Sequence, residues 1–290
     1  MHARAVAATT TALLGTATVL IPTPDARAGG VGAQPGVIAH RGASAYTPEN
    51  TLPAIDEAAR LGFSWVENDV QRTKDGELVV IHDDSLRRTT NVEQVFPDRA
   101  PWKVKDFTAA EIARLDAGSW FGRAYAGTRV PTLKEYMRRV DHNHEKLLLE
   151  IKNPELYPGI ERETLKLLSN EGWLDRPHLG RLIVQSFSAD SLRIVHDLKP
   201  ALTTGFLGTP SVVDLHRYAR FTDLINPSYG SISATYVRTV HAFYGPHGRR
   251  LRVFTWTVND AATTRTVARY GVDGIITNKP DVVWAALNGY

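Results

Sequence analysis

Two pairs of charged residues share the spacing that puts both side chains on one face of a β-strand. Glu67 and Asp69 lie two residues apart, and Glu150 and Lys152 repeat the spacing later in the chain. Alternate residues of a strand point to the same side, and buried carboxylates need a compensating charge. Hard cations such as Ca²⁺ and Mg²⁺ prefer carboxylate oxygens, so Glu67, Asp69 and Glu150 are candidate metal ligands. Buried ion pairs with Arg41 and Lys152 are the alternative interpretation.

Two histidines end apolar segments, and each is followed by a charged residue. His40 precedes Arg41 and Gly42, and His82 precedes Asp83. Histidine suits acid and base catalysis near neutral pH, the fork of arginine fits phosphate oxygens, and glycine lets the backbone approach closely at a turn. Together with a metal and a lysine, this set favours phosphoryl transfer. One histidine would take a proton from the nucleophile, and the other would protonate the leaving alkoxide.

Short apolar segments alternate with helical patterns along the chain, which is typical of a parallel α/β architecture. The predicted strands are Val37–His40, Trp65–Val70, Leu78–His82, Leu147–Ile151, Leu182–Ser186, Thr203–Leu207, Asp223–Asn226, Arg252–Thr257 and Asp273–Thr277. The turn sequence Thr73–Gly76 indicates that the third strand pairs antiparallel with the second. The other eight strands each precede a helical segment, so the pattern predicts a TIM (β/α)₈ barrel with a β-hairpin extension of strand two. A doubly wound sheet is the alternative.

The candidate chemical groups fall at the C-terminal ends of the predicted strands, where the catalytic groups of a TIM barrel lie. Residues 83–131 interrupt the alternation of strands and helices after the hairpin. They combine glycine, proline and aromatic residues with one helix, predicted over Thr108–Asp116. We expect a small insertion packed over the top of the barrel. It would serve as a lid, as a substrate-specificity region or simply as packing.

The first 28 residues have the composition of a secretory signal peptide. A short basic start at Met1–Arg4 precedes the uncharged segment Val6–Ile21, and Ala26–Ala28 fits a small-x-small cleavage pattern. The apolar stretch is short and weakly hydrophobic for a bilayer span, which needs about 20 residues, so a membrane anchor is the weaker alternative. We predict cleavage after Ala28, a mature domain over residues 29–290, and secretion.

Charge and cysteine content exclude several classes of function. The formal charge is +3 and would fall to +2 after removal of residues 1–28. A mildly basic chain with no basic run gives little support for nucleic-acid binding. The chain contains no cysteine, which argues against disulfides, thiolate chemistry and a structural zinc site. No stable protein partner is implied.

A series of motifs resembles those of bacterial glycerophosphodiester phosphodiesterases. In chain order the motifs are Ile38–Ser44, Pro48–Thr51, Glu67–Val70, Thr73–Gly76, Val80–Asp83, Glu150–Lys152, Gln185–Phe187, Trp256–Asn259 and Gly274–Pro280. Each motif is short, but their order and completeness extend over nearly all of the predicted mature chain. The resemblance implies a TIM barrel with a small insertion after the hairpin, and a phosphodiesterase activity.

The family resemblance also implies a metal and an acid/base pair. Glu67, Asp69 and Glu150 would hold a divalent cation, often Ca²⁺ or Mg²⁺. His40 and His82 would be the catalytic acid and base. In the family, the 2-hydroxyl of the glycerol can attack phosphorus to give a cyclic intermediate, which water then opens. The products would be glycerol 3-phosphate and a free alcohol.

Further positions are assigned to substrate binding by the same resemblance. Arg41 and Lys152 would hold the phosphate, and Trp256 matches an aromatic residue that lines the pocket of the family. Glu49 and Asn50 are interpreted as supports for Arg41 and for the start of the following helix. The expected partner is a small-molecule glycerophosphodiester, with a lipid or teichoic acid as further candidates.

One residue departs from the family pattern, and three alternative functions stay open. Asn68 occupies a position that is usually apolar, and it should point outward between the barrel and the helices. The first alternative is a phospholipase D-like activity on lysophospholipid or sphingomyelin. The second is degradation of teichoic acid, and the third is a non-catalytic phosphoglycerol-binding protein, which would not need both His40 and His82.

Overall fold

A closed barrel forms the centre of the protein. A computed structural model describes residues 34–289, so the predicted signal peptide and its cleavage site lie outside the described residues. Within residues 34–289, the strands are β1 Gly36–Ala39, β2 Trp65–Arg72, β3 Leu78–Val80, β4 Lys146–Ile151, β5 Leu182–Ser186, β6 Thr203–Leu207, β7 Leu224–Asn226, β8 Arg252–Thr255 and β9 Gly274–Thr277. All except β3 are parallel, in the order β1, β2, β4, β5, β6, β7, β8, β9, and β9 pairs with β1. The predicted TIM barrel is confirmed, because a doubly wound sheet would leave two free edges.

The predicted hairpin extends strand β2 beyond the barrel. β3 runs antiparallel to the end of β2, with Val70 opposite Val80 and Arg72 opposite Leu78. β2 is two residues longer than predicted, and β3 ends at Val80 rather than at His82. The hairpin therefore returns the chain toward the strand ends, and His82 lies just after the strand.

Helices connect the strands. They are α1 Leu52–Arg60, α2 Val92–Val95, α3 Ala109–Ile112, α4 Leu133–His142, α5 Ile160–Asn170, α6 Arg176–Leu179, α7 Ala189–Leu198, α8 Leu215–Tyr218, α9 Ala234–His241, α10 Ala261–Tyr270 and α11 Pro280–Leu287. Thr132 and Glu135 form a capping box at the start of α4. The helix predicted over Thr108–Asp116 is shorter and ends at Ile112. Beyond it, the carboxylate of Asp116 accepts backbone N–H groups of a loop, so the chain turns away.

Apolar side chains fill the lower interior of the barrel and define a floor under the strand ends. They are Ile38, Leu148, Ile183, Leu224, Phe254 and Ile276. Burying an aliphatic or aromatic side chain contributes about 1.5–3 kcal/mol. Two positions after five of these residues, the chain places a polar side chain at or just past the strand end: His40, Glu150, Gln185, Asn226 and Asn278. These later residues form the polar layer described below.

Residues 83–131 form an apolar cluster of their own with the hairpin. Val79 and Ile81 of the hairpin pack there with Leu86 and Phe107. The hydroxyl of Tyr125 donates to the carbonyl of Tyr46, which fixes the segment against the loop before α1. The part of the chain that the structure describes contains no helix long and apolar enough to cross a membrane.

Candidate functional site

Three buried carboxylates meet at the ends of β2 and β4. One oxygen each from Glu67, Asp69 and Glu150 lies within 4.8 Å of the other two. Burial and the Asp69 carboxylate raise the pKa of Glu67 well above its ordinary value, and that of Glu150 to about 8. Burial would also raise the pKa of Asp69, but the charges of Arg41 and Lys152 hold it below its usual range. The cluster thus carries more carboxylates than it has cationic side chains nearby.

One atom of this cluster lacks a hydrogen-bond partner among residues 34–289. Oδ1 of Asp69 is buried and unpaired in this way, and the ammonium of Lys152 lies 3.6 Å from it. The same ammonium is 2.9 Å from Oε1 of Glu150. An unpaired buried oxygen beside two further carboxylates matches the donor set that a hard divalent cation requires. The predicted ion pairs with Arg41 and Lys152 are also present, so the two interpretations describe parts of one site.

A tight turn follows His40 at the end of β1. Arg41 and Gly42 have φ angles of 56° and 78°, a region that glycine adopts easily and arginine rarely. A Cβ atom on Gly42 would lie 2.6 Å from Ala54 of α1, so only glycine fits there. The turn aims the backbone N–H of Arg41 at Oε2 of Glu67, 3.0 Å away.

The side chain of Arg41 lies between two carboxylates. Its Nη1 donates to Oε1 of Glu49 at 2.9 Å, and its Nε is 3.2 Å from Oδ2 of Asp69. The amide of Asn50 donates to the same Asp69 oxygen at 2.8 Å. Glu49 therefore supports Arg41, as the sequence predicts, whereas the side chain of Asn50 supports Asp69 rather than the start of α1.

The ring of His40 is oriented by an amide. Its Nδ1 lies 2.6 Å from Oδ1 of Asn278, which follows β9. A carbonyl oxygen accepts here, so Nδ1 carries the proton and Nε2 is left with its lone pair. Nε2 is 3.9 Å from Oε2 of Glu67. Burial, and secondarily the charge of Arg41, lowers the pKa of His40 to about 4.

The ring of His82 is oriented by a carboxylate instead. Its Nδ1 donates to Oδ1 of Asp83 at 2.6 Å. The side-chain nitrogen of Gln71 lies within 3.0 Å of the carbonyl oxygens of Ile81, His82 and Asp83. These contacts of Gln71 fix the backbone of residues 81–83, which follow β3. The Asp83 carboxylate fixes the orientation of the imidazole ring and leaves Nε2 of His82 directed at the pocket.

Two linked side-chain amides, of Gln185 and Asn226, support Glu67 of the carboxylate cluster. Gln185 donates to Oε1 of Glu67 at 3.3 Å, and Asn226 donates to Oε1 of Gln185 at 2.9 Å. A Cβ atom on Gly205 would lie 2.8 Å from the Asn226 amide nitrogen. The glycine therefore leaves room for an amide chain that fixes the orientation of Glu67.

Seven of the eight predicted site residues line one pocket at the strand ends, and Asp69 lies in the carboxylate cluster beneath them. The lining includes His40, Arg41, Glu67, His82, Glu150, Lys152 and Trp256. Phe187 also lines it and packs edge-to-face on Trp256, with 5.7 Å between ring centroids. The indole of Trp256 donates to the carbonyl of Asn226 at 2.7 Å. The pocket thus has a charged side and an aromatic side.

Several supporting residues were not singled out from the sequence. Asn278, Gln185 and Asn226 lie at predicted strand ends, and Gln185 and Asn278 also lie within family motifs, but the sequence assigned none of the three a role. Gln71 lies on β2, where its inward spacing with Glu67 and Asp69 could have drawn attention. Its three carbonyl contacts depend on the course of the chain after β3, which the sequence does not show.

Comparisons with known proteins agree with this geometry. A family model described as the glycerophosphoryl diester phosphodiesterase family matches residues 40–282. The chain is 38% identical to a glycerophosphodiester phosphodiesterase of Caldanaerobacter subterraneus, over 85% of this chain and 95% of the relative. It is 36% identical to a glycerophosphodiester phosphodiesterase of Bacillus subtilis, over 87% of this chain and 86% of the relative.

A solved structure is similar over the same region. It is an Oleispira antarctica phosphodiesterase in complex with the product sn-glycerol-3-phosphate, with a TM-score of 0.76 and 28% sequence identity. The match covers 88% of this chain and 97% of the Oleispira chain. The similarity therefore extends over most of this chain and nearly all of the Oleispira chain.

Proposed function

The chain belongs to the glycerophosphoryl diester phosphodiesterase family, and on this basis we propose that it hydrolyses glycerophosphodiesters to glycerol 3-phosphate and an alcohol. The observation that carries the proposal is the pocket in which two histidines and two cationic side chains surround three buried carboxylates. The product complex of the Oleispira phosphodiesterase supports it, because the ligand there is sn-glycerol-3-phosphate.

The proposal includes a divalent cation, Ca²⁺ or Mg²⁺, held by Glu67, Asp69 and Glu150. The excess of carboxylates fits such an ion, as does Oδ1 of Asp69, which lacks a hydrogen-bond partner among residues 34–289. A bound cation would stabilise negative charge that develops on the phosphoryl oxygens. It would also offset the burial and the Asp69 charge that raise the pKa of Glu67 and Glu150.

The two histidines divide the proton transfers. Nε2 of His40 has a free lone pair, because Nδ1 donates to the neutral Asn278 amide, so His40 accepts the proton of the attacking hydroxyl. His82 is paired with the Asp83 carboxylate and donates its proton to the leaving alkoxide. When the 2-hydroxyl of the glycerol attacks, a new O–P bond forms as the bond to the alcohol breaks, which gives a cyclic phosphate and the free alcohol. Water then opens the ring: His82 takes a proton from the water, and His40 returns its proton to the departing 2-oxygen, so that glycerol 3-phosphate is released and both histidines are restored.

The phosphate is bound by cations on two sides of the pocket. Arg41 presents a planar fork held by Glu49 and Asp69, and Lys152 is held by Glu150 and Asp69. Because the carboxylates fix both side chains before substrate arrives, little reorganisation is needed for them to stabilise charge in the transition state.

The reaction is tested with glycerophosphocholine and the chain that begins at Gly29. We expect release of glycerol 3-phosphate, loss of activity after treatment with EDTA, and recovery after addition of Ca²⁺ or Mg²⁺. The His40→Ala variant should be inactive, whereas His142→Ala, on α4 away from the pocket, should match the wild type. Activity that survives chelation, or full activity in His40→Ala, would contradict the mechanism.

The division of roles between the histidines is tested with a better leaving group. A glycerophosphoryl ester of p-nitrophenol needs little protonation of the departing oxygen. His82→Ala should therefore lose much less activity on this ester than on glycerophosphocholine, whereas His40→Ala should lose activity on both. Equal losses for the two variants on both substrates would reject the assignment.

Lipid-derived substrates are a second candidate, favoured by exposed aromatic residues beside the pocket. Phe187 is 50% exposed and contacts Trp256. Tyr229 is also exposed, and its backbone N–H donates to the carbonyl of Trp256. Lysophospholipid or sphingomyelin would place an acyl chain there, and teichoic acid is the polymeric alternative. A panel of these substrates beside glycerophosphocholine ranks them by kcat/KM.

We also propose secretion, which the composition of residues 1–28 supports. Expression of the full chain in a bacterial host should give culture medium that contains a protein starting at Gly29, as read by N-terminal sequencing. An uncut chain retained in the cell pellet would contradict the proposal.

A further inference from the structure

An arginine outside the pocket connects the two halves of the site. Arg88 lies in the segment after the hairpin, and its guanidinium makes four hydrogen bonds to two carboxylates. Nε and Nη2 donate to Oδ2 and Oδ1 of Asp83, at 2.6 and 3.0 Å. Nη1 and Nη2 donate to Oε2 and Oε1 of Glu49, at 2.8 and 2.7 Å. Both carboxylates are bound through both of their oxygens.

Each of these carboxylates also holds one residue that the proposed reaction uses. Oδ1 of Asp83 accepts from Nδ1 of His82, and Oε1 of Glu49 accepts from Nη1 of Arg41. These are the same oxygens that receive Nη2 of Arg88. One nitrogen of Arg88 therefore fixes the distance between the support of His82 and the support of Arg41.

The backbone around Arg88 is anchored by buried neighbours. Leu86 and Thr90 are buried, and the hydroxyl of Thr90 donates to the carbonyl of Leu86 at 2.6 Å. The backbone of Ser85 pairs with Lys103. The guanidinium is thus placed by residues of the insertion that have no contact with substrate in the proposed mechanism.

We propose that Arg88 is a positioning residue, which acts through Asp83 and Glu49 to fix the positions of His82 and Arg41 relative to each other across the pocket. The inference rests on the proposed function, since it assigns a purpose to the supports of these two residues. It also gives the segment after the hairpin a role beyond packing, because that segment supplies both Asp83 and Arg88. A lysine cannot replace Arg88, since an ammonium lacks the planar fork that binds two carboxylates at once.

The test compares Arg88 with the adjacent Arg87. Arg87 is also ion-paired, to Glu93 at 2.9 Å, but it has no contact with the site. Arg88→Lys should lower kcat on glycerophosphocholine by about 10- to 100-fold, the usual effect of removing an outer support. KM should change less than kcat. Arg87→Lys should behave as the wild type.

Two readouts separate positioning from general stability. Methylguanidinium should restore part of the activity of Arg88→Ala, but none to His82→Ala, and it should not change Arg87→Ala. In a chain that already carries Asp83→Asn and Glu49→Gln, Arg88→Ala should have little further effect. Should Arg88→Ala fail to fold, Arg88→Lys and Arg88→Gln serve in its place.

The outcomes are distinct. A kcat within about twofold of wild type in both Arg88→Lys and Arg88→Ala overturns the inference. The inference is also overturned if methylguanidinium does not rescue Arg88→Ala and if Arg88→Ala lowers kcat by the same factor in the Asp83→Asn, Glu49→Gln chain as in the wild type. If the wild type itself releases no glycerol 3-phosphate, the proposed function fails. If the wild type is active and the Arg88 variants match it, only the role of Arg88 fails.

Discussion

His40 and Asn278 are joined by a 2.6 Å contact between Nδ1 and the amide oxygen, across the closure of the barrel from β1 to β9. We predict that Asn278→Ala lowers kcat by about 10- to 100-fold with a smaller change in KM, because the ring loses the partner that fixes its proton and orientation. Steady-state kinetics on glycerophosphocholine measure this. Asn288→Ala, at the exposed end of α11, serves as the control. Wild-type kcat in Asn278→Ala would show that the turn after β1 alone orients His40.

Metal binding should be visible in stability as well as in activity. A ligand that binds only the folded state at 100 times its Kd adds about 2.7 kcal/mol to the free energy of unfolding, equivalent to a rise in Tm of roughly 5–10 °C. We expect Ca²⁺ or Mg²⁺ to raise the Tm of the chelated wild type in this way. Glu150→Gln should abolish most of the rise, because it removes one of the three carboxylates.

The control for the metal prediction is another buried acid. Glu161 on α5 is buried but lies outside the carboxylate cluster, so Glu161→Gln should keep the full metal-dependent rise in Tm. Differential scanning calorimetry measures these Tm values. A metal-dependent rise in Tm that is as large in Glu150→Gln as in the wild type would place the cation elsewhere.

We predict that the buried amide of Asn68 destabilises the fold. It lies on β2 between Glu67 and Asp69 and points away from them, and it is fully buried. Within residues 34–289, neither its Oδ1 nor its Nδ2 has a hydrogen-bond partner. Leaving such groups unpaired costs about 1–3 kcal/mol. Asn68→Leu, which has a similar branched shape, should raise the free energy of unfolding in urea by about that amount.

The kinetics of Asn68→Leu provide the check on this interpretation. Because the side chain points outward, kcat and KM should stay within about twofold of the wild type. A lower free energy of unfolding in Asn68→Leu would mean that the extra volume strains the space between strand and helices.

The site residues at the strand ends could be predicted from the sequence because the patterns that reveal them lie within a few residues of each other. Alternation of side chains placed Glu67, Asp69 and Glu150 on the barrel interior, and the length of the turn at Thr73–Gly76 required a hairpin. Both follow from backbone geometry within a few residues. The closed barrel followed from the number of strands, and the structure confirms it.

The supports of the site could not be predicted in the same way. Asn278 reaches His40 from 238 positions further along the chain, and Arg88 reaches Glu49 from a segment without a regular pattern. Such contacts depend on loop conformations rather than on periodicity. The left-handed conformation of Arg41 is another case, because sequence propensity disfavours it and the surrounding contacts impose it.

We predict that Glu145, at the end of the barrel away from the pocket, makes the stability of the fold depend on pH. It precedes β4 and is only 2% exposed. Among the described residues, neither carboxylate oxygen has a partner in hydrogen-bond geometry. Burial raises the pKa of Glu145 to about 8, and the nearby Asn143 amide offsets only part of the effect. The folded protein therefore keeps a proton that the unfolded chain releases near pH 4.5.

This difference in proton binding destabilises the folded state as the pH rises. Below pH 4.5 both states are protonated, and between pH 4.5 and 8 only the folded state holds the proton, so the free energy of unfolding falls with pH. The full effect is on the order of 5 kcal/mol, from a shift between 4.5 and about 8 at about 1.4 kcal/mol per pH unit. In Glu145→Gln, which does not titrate, this decline should disappear.

Urea unfolding of the wild type and Glu145→Gln at a series of pH values between 4 and 9 measures the prediction. Effects of other titrating groups cancel in the difference between the two proteins, and that difference should move in favour of the variant as the pH rises. The difference in free energy of unfolding between Glu145→Met and the wild type should change with pH by the same slope as for Glu145→Gln, because methionine does not titrate either. The two variants should differ from each other only by a constant amount. A difference that is flat from pH 4 to 9 would mean that the folded protein opens enough around Glu145 to hydrate its carboxylate.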